Sequence, residues 1–438
     1  MFRLNHSVLS KGSEIRNKSA LIHLIILVIG IASLNSCIED PTLPTLITSP
    51  GTNITINSIT SGGDITSDGG AAVTAKGICW GTTPNPTIAG EHSTDGQGPG
   101  IFASIITGLN PNTMYHLRAY AKNEVGVAYG NEIVFTTDAA AAVLTTSSVS
   151  SISPTTAISG GNITYDGDAA ILERGLCWSI TTEPDITDSF ISSGSGAGIF
   201  ASNMTGLTPG TRYYIRAYAK NRAGIFYGDE ISFNTQVADA EGNRYNTLTI
   251  GAQVWMAENL RAVTYNDNTP IPNITENAAW IAMTTPAYCW LLNDIATKPV
   301  HGALYNWYTI NTGKLCPIGW HVPTDAEYSV LEVTLGMTPA QTDLWEWRGT
   351  DQGSKIKSTA GWAVGENGNN TSGFSATPGG YRYGATGAFN GIDILTYWWS
   401  SEYSADYAWY RRVDGNNTAI YRHVTSKRGG KYVRCLKN

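Results

Sequence analysis

The chain has 438 residues, of which only 14% are charged, and its formal net charge at pH 7 is -7. An acidic chain lacks the basic face that phosphate contacts need, which excludes nucleic acid as a partner. The 47 glycines and the many Thr, Ser, Asn, Tyr and Trp residues favour turns and pleated strands over long helices. We therefore expect a mostly β protein of about three domains, at roughly 100 to 200 residues per domain.

Residues 1–36 have the pattern of an export signal. Four basic residues precede an apolar run from Leu21 to Ile31, and the segment ends in Leu34-Asn35-Ser36-Cys37. An apolar run of about 11 residues is too short for a stable membrane span, whereas a basic start followed by small residues is typical of a cleaved signal.

The Leu-x-Ser-Cys ending resembles the lipobox of bacterial lipoproteins. The resemblance implies acylation of Cys37 and cleavage before it, so that the acyl chains anchor the protein to a membrane. Cleavage would leave 24 basic and 34 acidic residues, a net charge of -10. By analogy with lipoprotein sorting, the lack of Asp directly after Cys37 argues for the outer membrane, and the Glu39-Asp40 pair argues for the cell surface. Residues 37–45 are expected to form an extended tether.

A tandem repeat follows the tether. Gly100-Ile101-Phe102-Ala103-Ser104 returns as Gly198-Ile199-Phe200-Ala201-Ser202, and roughly 24 of 38 positions are identical from there on. Short alternating runs separated by Gly, Pro, Asn and Asp predict two antiparallel β-sandwiches. The phrase Gly-Leu-x-Pro-x-Thr-x-Tyr resembles the strand-entry corner of fibronectin type III domains, in which the Tyr hydroxyl bonds to nearby backbone. The two domains are placed at 46–137 and 143–235.

Each repeat has one cysteine, and the two occupy equivalent positions. Cys79 and Cys177 are expected to lie in separate domains about one domain length apart, too far for a disulfide, and to be buried thiols. The Asp-rich loops at 64–68 and 166–168 lack the full calcium ligand series, so turn formation explains them better.

Residues 239–438 hold eleven of the 13 tryptophans and have a different composition. The segment from Asp239 to Leu260 predicts a hairpin. Thr324 and Glu327 form a capping box that predicts one helix over 324–335.

Four phrases identify this segment as similar to the Fibrobacter succinogenes major paralogous domain family. They are Gly302-Ala303-Leu304-Tyr305-Asn306-Trp307, Cys316-Pro317-Ile318-Gly319-Trp320-His321-Val322-Pro323, Gly373-Phe374-Ser375-Ala376-Thr377-Pro378-Gly379-Gly380 and Val433-Arg434-Cys435. The resemblance implies an α+β, C-type-lectin-like fold related to formylglycine-generating enzymes. In such a fold Cys316 and Cys435 come close, so we expect a disulfide in the oxidising exported compartment, with Cys289 left as a buried thiol.

No catalytic or metal-binding set emerges from the residues. The seven histidines form no zinc-type pairing, and His321 is expected to tie down the helix entry rather than act as a base. A formylglycine-generating enzyme would need a redox-active cysteine pair, and the two aligned cysteines are assigned to the disulfide. We therefore expect neither enzyme activity, nor a cofactor, nor a metal.

Ligand binding is the function that the C-terminal composition favours. Aromatic and amide side chains could stack on sugar rings and hydrogen-bond to hydroxyls. The candidates are Trp362, Asn367, Asn369, Asn370, Tyr381, Tyr383, Trp409 and Tyr410. Trp398 and Trp399 should point to opposite faces of one strand, so at least one is core. The sequence thus predicts an outer-membrane, surface-displayed binding or adhesion lipoprotein for polysaccharide or protein, with a purely structural or assembly role as the alternative.

Overall fold

The computed structural model of the protein describes residues 40–438. The predicted export signal, the predicted lipidation site Cys37 and the start of the predicted tether lie outside these residues. Contacts divide the chain into two compact units, one ending at Asp138 and the other beginning at Ala139. Within the described range, no helix is long and apolar enough to cross a membrane.

The first unit is a sandwich of two antiparallel sheets. Its strands are β1 Thr45–Thr52, β2 Ser58–Ser67, β3 Ala75–Gly81, β4 Glu91–His92, β5 Gly100–Thr107, β6 Met114–Lys122, β7 Val127–Tyr129 and β8 Ile133–Thr136. One sheet has the order β1-β2-β5 and the other β4-β3-β6-β7, with β8 also paired to β6.

Strand β6 shows why this sequence makes a sandwich. Tyr115, Leu117, Ala119 and Ala121 alternate along it and all join the hydrophobic core between the sheets. The Tyr115 hydroxyl accepts a hydrogen bond from the backbone N–H of Asn110 at 3.1 Å, which is the corner contact that the sequence predicts.

The second repeat forms the same sandwich at the start of the second unit. Its strands are β9 Val143–Thr146, β10 Ala157–Tyr165, β11 Glu173–Ser179, β12 Ser189–Ser192, β13 Gly198–Met204, β14 Arg212–Asn221, β15 Gly224–Tyr227 and β16 Ile231–Asn234. Tyr213 repeats the corner contact, accepting from the N–H of Thr208 at 3.0 Å.

Cys79 and Cys177 are free and buried, as predicted. The Asp-rich loops are turns: Asp68 and Asp166 each accept a backbone N–H two residues further on.

The C-terminal part of the second unit is α+β. Its strands are β17 Val237–Ala238, β18 Arg244–Tyr245, β19 Thr247–Ile250, β20 Gln253–Met256, β21 Tyr288–Trp290, β22 Ala303–Tyr305, β23 Trp320–His321, β24 Glu346–Arg348, β25 Gly379–Arg382, β26 Phe389–Ile392, β27 Leu395–Ser404, β28 Tyr407–Asp414, β29 Ile420–Ser426 and β30 Leu436–Lys437. Its helices are α1 Asn277–Ala282, α2 Lys298–His301, α3 Trp307–Ile310, α4 Asp325–Thr334, α5 Pro339–Thr342 and α6 Gln352–Ile356, with 3₁₀ turns at Leu291–Asn293 and Ile295–Thr297.

Two sheets organise this part. The larger has the order β24-β29-β28-β27-β25-β26, and the smaller has the order β19-β20-β30-β23, so the last strand of the chain pairs with the expected hairpin of β19 and β20. Trp398 and Trp399 are both buried and belong to two different core clusters, in agreement with their opposite directions on β27.

Helix α4 begins where the sequence predicts. Thr324 is the N-cap, and its hydroxyl and the Glu327 carboxylate complete the capping box. The helix is held to the larger sheet by buried ion pairs of Asp325 with Arg411 and Arg422, and of Glu332 with Arg411 and Arg348.

The second sandwich and the C-terminal part are joined by direct contacts. Lys437 Nζ donates to Thr211 Oγ1 at 3.0 Å, and the Trp320 ring lies against Gly210, where an added Cβ would come within 2.3 Å of the ring. Gly210 has a positive φ of 58°, so the absence of a side chain serves both the turn and the close approach.

Candidate binding site

A groove opens at one end of the larger sheet, between the loop after β25 and the ends of β28 and β29. We call it the tyrosine groove. Its volume is about 320 Å³, and it is lined by Tyr383, Gly384, Ala385, Tyr407, Val424, Thr425, Ser426 and Arg428. Although these residues come from three separate stretches of sequence, the fold brings them to one surface.

Two tyrosines form the accessible aromatic walls of this groove. Tyr383 is 45% exposed and Tyr407 is 52% exposed. Ser426, which pairs with Tyr407 in the strand register, adds a hydroxyl, and its oxygen accepts a hydrogen bond from the backbone N–H of Arg428. Because Ser426 acts here as an acceptor, its own hydroxyl hydrogen remains available to a ligand. Aromatic faces beside hydroxyl and guanidinium donors are the groups that recognise a sugar ring.

The loop that carries Tyr383 is held in place by Arg382, whose side chain is fully buried. The Arg382 guanidinium donates to the carbonyls of Gly387, Ile274 and Thr275 at 2.6 to 2.8 Å. Within the loop, the N–H of Tyr383 donates to the carbonyl of Ala388 at 2.8 Å. The wall is therefore positioned before any ligand arrives, which reduces the entropy lost on binding.

The Arg428 side of the groove is fixed by Trp280. The indole Nε1–H of Trp280 donates to the carbonyl of Arg428 at 2.8 Å, and the ring is fully buried. Gly384 lies directly against this backbone, since an added Cβ would meet the nitrogen of Gly429 at 2.8 Å. Both sides of the groove thus rest on one buried layer.

A row of aromatic rings continues from the groove across the sheet. Tyr383 contacts Tyr381, which packs on Tyr397, and Tyr397 packs on Tyr410, with ring centroids 6.3, 4.6 and 5.1 Å apart in turn. Tyr421 follows on β29 at 6.2 Å from Tyr410. The row crosses four strands of the sheet.

Lys431 lies within this aromatic row. Its Nζ is 4.5 Å from the ring centroid of Trp399, 4.8 Å from Tyr397, 5.0 Å from Tyr410 and 5.5 Å from Tyr381. Burial lowers the pKa of Lys431 to about 7. The four rings supply cation–π attraction in place of a carboxylate partner.

The structure separates the residues that the sequence proposes for ligand binding. Tyr383 lines the tyrosine groove, and the partly buried Tyr381 is its neighbour in the aromatic row. Trp362 and Tyr410 are buried, at 6% and 7% exposure, so a sugar ring could not stack on them. Trp362 is instead a core residue whose indole N–H donates to the carbonyl of Ala376, and Tyr410 is packed inside the row.

The other candidates do not line the groove. Trp409 is partly buried, with the Arg422 guanidinium 3.9 Å above its ring. Asn369 is exposed, and its side-chain oxygen accepts from Thr371 within a local turn. Asn367 and Asn370 likewise serve loop hydrogen bonds, to Trp362 and Ser375.

Sequence reasoning missed Tyr407, Thr425, Ser426 and Arg428. Tyr407 carried a usable signal, because it begins an alternating strand directly after the Ala405-Asp406 turn, where a large aromatic is exposed. That Ser426 and Arg428 line the same groove as Tyr383 depends on tertiary structure alone.

The histidine and the cysteines that the sequence analysis considers for catalysis have structural roles. His321 Nε2 lies 2.9 Å from the Glu327 carboxylate, and its Nδ1 lies 2.7 Å from Asn438 Oδ1, so this histidine joins the helix entry to the chain end. The Cys316–Cys435 disulfide is present, which confirms that prediction, and Cys289 is a buried free thiol. Within residues 40–438, no group of three or more His, Cys, Asp or Glu side chains could hold a metal ion.

Comparison with known proteins agrees with the domain content. Residues 248–437 match the family model of the Fibrobacter succinogenes major domain. The protein is thus a mostly β, multidomain chain with two sandwiches followed by an α+β part that matches this family. Among solved structures, the FN1–FN3 domains of chicken CNTN1 are similar at 15% identity, with 45% of this chain and 69% of that chain covered and a TM-score of 0.24. No curated protein matches the chain.

Proposed function

We propose that the protein is an outer-membrane lipoprotein, anchored through Cys37 and displayed at the cell surface, that binds polysaccharide in the tyrosine groove. The observation that carries the binding proposal is the pair of exposed tyrosines, Tyr383 and Tyr407, that line one groove together with hydroxyl and guanidinium donors. The C-type-lectin-like architecture expected from the family resemblance agrees with a binding role. The two sandwiches would act as spacers between the membrane and the C-terminal part.

The binding proposal is tested with the full chain, purified in mild detergent, on a glycan array and in polysaccharide pull-downs. We expect saturable binding that Tyr383→Ala or Tyr407→Ala weakens by about tenfold, since stacking of a ring on one aromatic side chain contributes about 1 kcal/mol or more. Phe190→Ala is the matched control, because Phe190 is 50% exposed and lies on β12 of the second sandwich, outside the groove. Equal losses in all three variants, or no binding to any glycan, would favour the structural or assembly role.

The anchoring proposal has its own test. A cell that expresses the full chain is supplied with an alkyne-tagged fatty acid, and label incorporation is compared between the wild type and Cys37→Ser. We expect label and membrane fractionation in the wild type alone. Protease treatment of intact cells then distinguishes surface display from the periplasmic face.

A further inference from the structure

We infer that the tyrosine groove selects an acidic saccharide, one whose sugar ring carries a carboxylate, and that the guanidinium of Arg428 binds this carboxylate. The inference rests on the proposed glycan-binding function and specifies its ligand class. It is carried by the charge of the groove and by the unpaired state of Arg428.

Arg428 differs from most arginines of the C-terminal part. Arg348, Arg411, Arg412 and Arg422 each pair with a carboxylate. Arg382 and Arg434 are buried and donate to carbonyls. The side chain of Arg428 is exposed, and in the described part of the chain its guanidinium pairs with no carboxylate. A fork of five donors at the rim of a groove is thus left for a ligand.

The charge around the groove favours an anion. Arg428 is the one charged residue among those that line it. Lys427, the preceding residue, adds a second positive charge, although its Nζ is held by the carbonyl of Ala405 and by the ring of Tyr403 at 4.1 Å. Asp406 precedes Tyr407 but does not line the groove. A carboxylated ligand would therefore meet a cation and no lining carboxylate.

The geometry suits a sugar acid better than a simple anion. A pyranose ring can lay its apolar face on Tyr383 or Tyr407, while a carboxylate on the ring edge reaches the guanidinium in a two-point contact. The hydroxyl of Ser426, which lies opposite Tyr407 in the strand register, is then a hydrogen-bond partner for the ring hydroxyls. A neutral sugar would stack in the same way but leave Arg428 unused.

The test compares polymers that differ only in charge. The full chain in mild detergent is titrated with polygalacturonate, alginate and hyaluronate, and with each polymer after reduction of its carboxylates to alcohols. We expect at least one acidic polymer to bind about tenfold or more tightly than its reduced form, as a bidentate charged contact implies. Arg428→Gln should abolish that preference, so that the variant binds the acidic polymer and its reduced form with equal affinity. Tyr383→Ala should weaken both forms.

Controls separate this inference from its alternatives. Arg212→Gln removes an exposed arginine of the second sandwich and should change nothing. Equal binding of acidic and reduced polymers, or an acid preference that survives Arg428→Gln, overturns the inference while the proposed glycan function stands. Acid binding that disappears in moderate salt and does not respond to Tyr383→Ala indicates unspecific charge attraction and also overturns it. If neutral galactan and xylan fail together with every acidic polymer, the glycan function itself fails.

Discussion

The guanidinium of Arg382 lies 4.4 Å from the centroid of the Trp280 ring, and this contact joins the supports of the two sides of the tyrosine groove. Arg382 holds the loop that carries Tyr383, and Trp280 holds the backbone of Arg428. The groove therefore depends on two fully buried side chains that never touch a ligand.

Trp280→Phe tests this support. The substitution keeps a ring under Arg382 but removes the indole N–H, so the carbonyl of Arg428 loses its donor. We expect the free energy of unfolding to fall by roughly 1 to 3 kcal/mol and glycan affinity to fall as well. Urea unfolding and the pull-down assay measure the two effects. Trp347→Phe, on a ring that is 36% exposed, is the control and should cost less than about 0.5 kcal/mol.

Reduction of the Cys316–Cys435 disulfide should destabilise the C-terminal part strongly. The bond closes a loop with a sequence separation of 119 residues, which corresponds to about 4 to 5 kcal/mol in the chain-entropy model. A thermal scan with and without reductant shows the effect as a lower melting temperature. The double variant Cys316→Ala/Cys435→Ala should melt near the reduced wild type and ignore reductant. A wild type that also ignores reductant would contradict the prediction.

Lys431 should make stability depend on pH. Its pKa is lowered to about 7 by burial, against about 10.4 in an unfolded chain, so the unfolded state binds the proton more tightly. Below pH 7, Lys431 is charged in the folded protein, and burial of this charge lowers the free energy of unfolding by its full amount. As the pH increases from 7 towards 10, the folded protein loses the charge and the free energy of unfolding rises. The contribution is at most about 1.4 kcal/mol per pH unit.

The variant Lys431→Met should lack this contribution. Urea unfolding at pH 6.5, 7.5 and 8.5 gives the difference between variant and wild type, which should shrink as the pH rises. Burial raises the pKa of Cys79 to about 11 and that of Cys177 and Cys289 to about 12, and these thiols act in the opposite direction at higher pH. They are present in both proteins and cancel in the difference. Parallel pH profiles would show that Lys431 does not titrate as described.

Gly210→Asn should loosen the junction between the second sandwich and the C-terminal part. An added side chain collides with Trp320, and such overpacking costs roughly 1 to 3 kcal/mol. We expect a separate melting transition for the second sandwich and faster proteolysis near residue 237. Gly206→Asn is the matched control, since its φ is also positive, at 71°, and nothing lies within 4 Å of the added Cβ. Identical behaviour of the two variants would refute the contact.

Local and repeated patterns were predictable from the sequence. The tyrosine corners at Tyr115 and Tyr213 and the capping box at Thr324 depend on residues close in sequence, so short-range spacing is sufficient. The disulfide followed from the family phrases. Only some of the aromatic residues proposed for ligand binding lie at the groove, because composition does not distinguish a core ring from a surface ring. Trp362 stands between Gly361 and Ala363, and Tyr383 stands between Arg382 and Gly384. Neither sequence setting tells that the fold buries the first ring and exposes the second.

The disulfide also has a mechanical consequence. Arg428 at the groove is seven positions before Cys435, whereas it is 112 positions after Cys316. Consider a ligand in the groove that is pulled away from the N-terminal end of the chain. Once the short segment from Arg428 to Cys435 has straightened, the Cys316–Cys435 disulfide bears the force. At about 3.5 Å per residue, the segment that can straighten between the groove and the disulfide is roughly 25 Å long, instead of the roughly 400 Å of chain back to Cys316 that could straighten without the disulfide. In the oxidised protein, a tensile force on a bound ligand is therefore transmitted towards the N-terminal end of the chain with little extension of the C-terminal part.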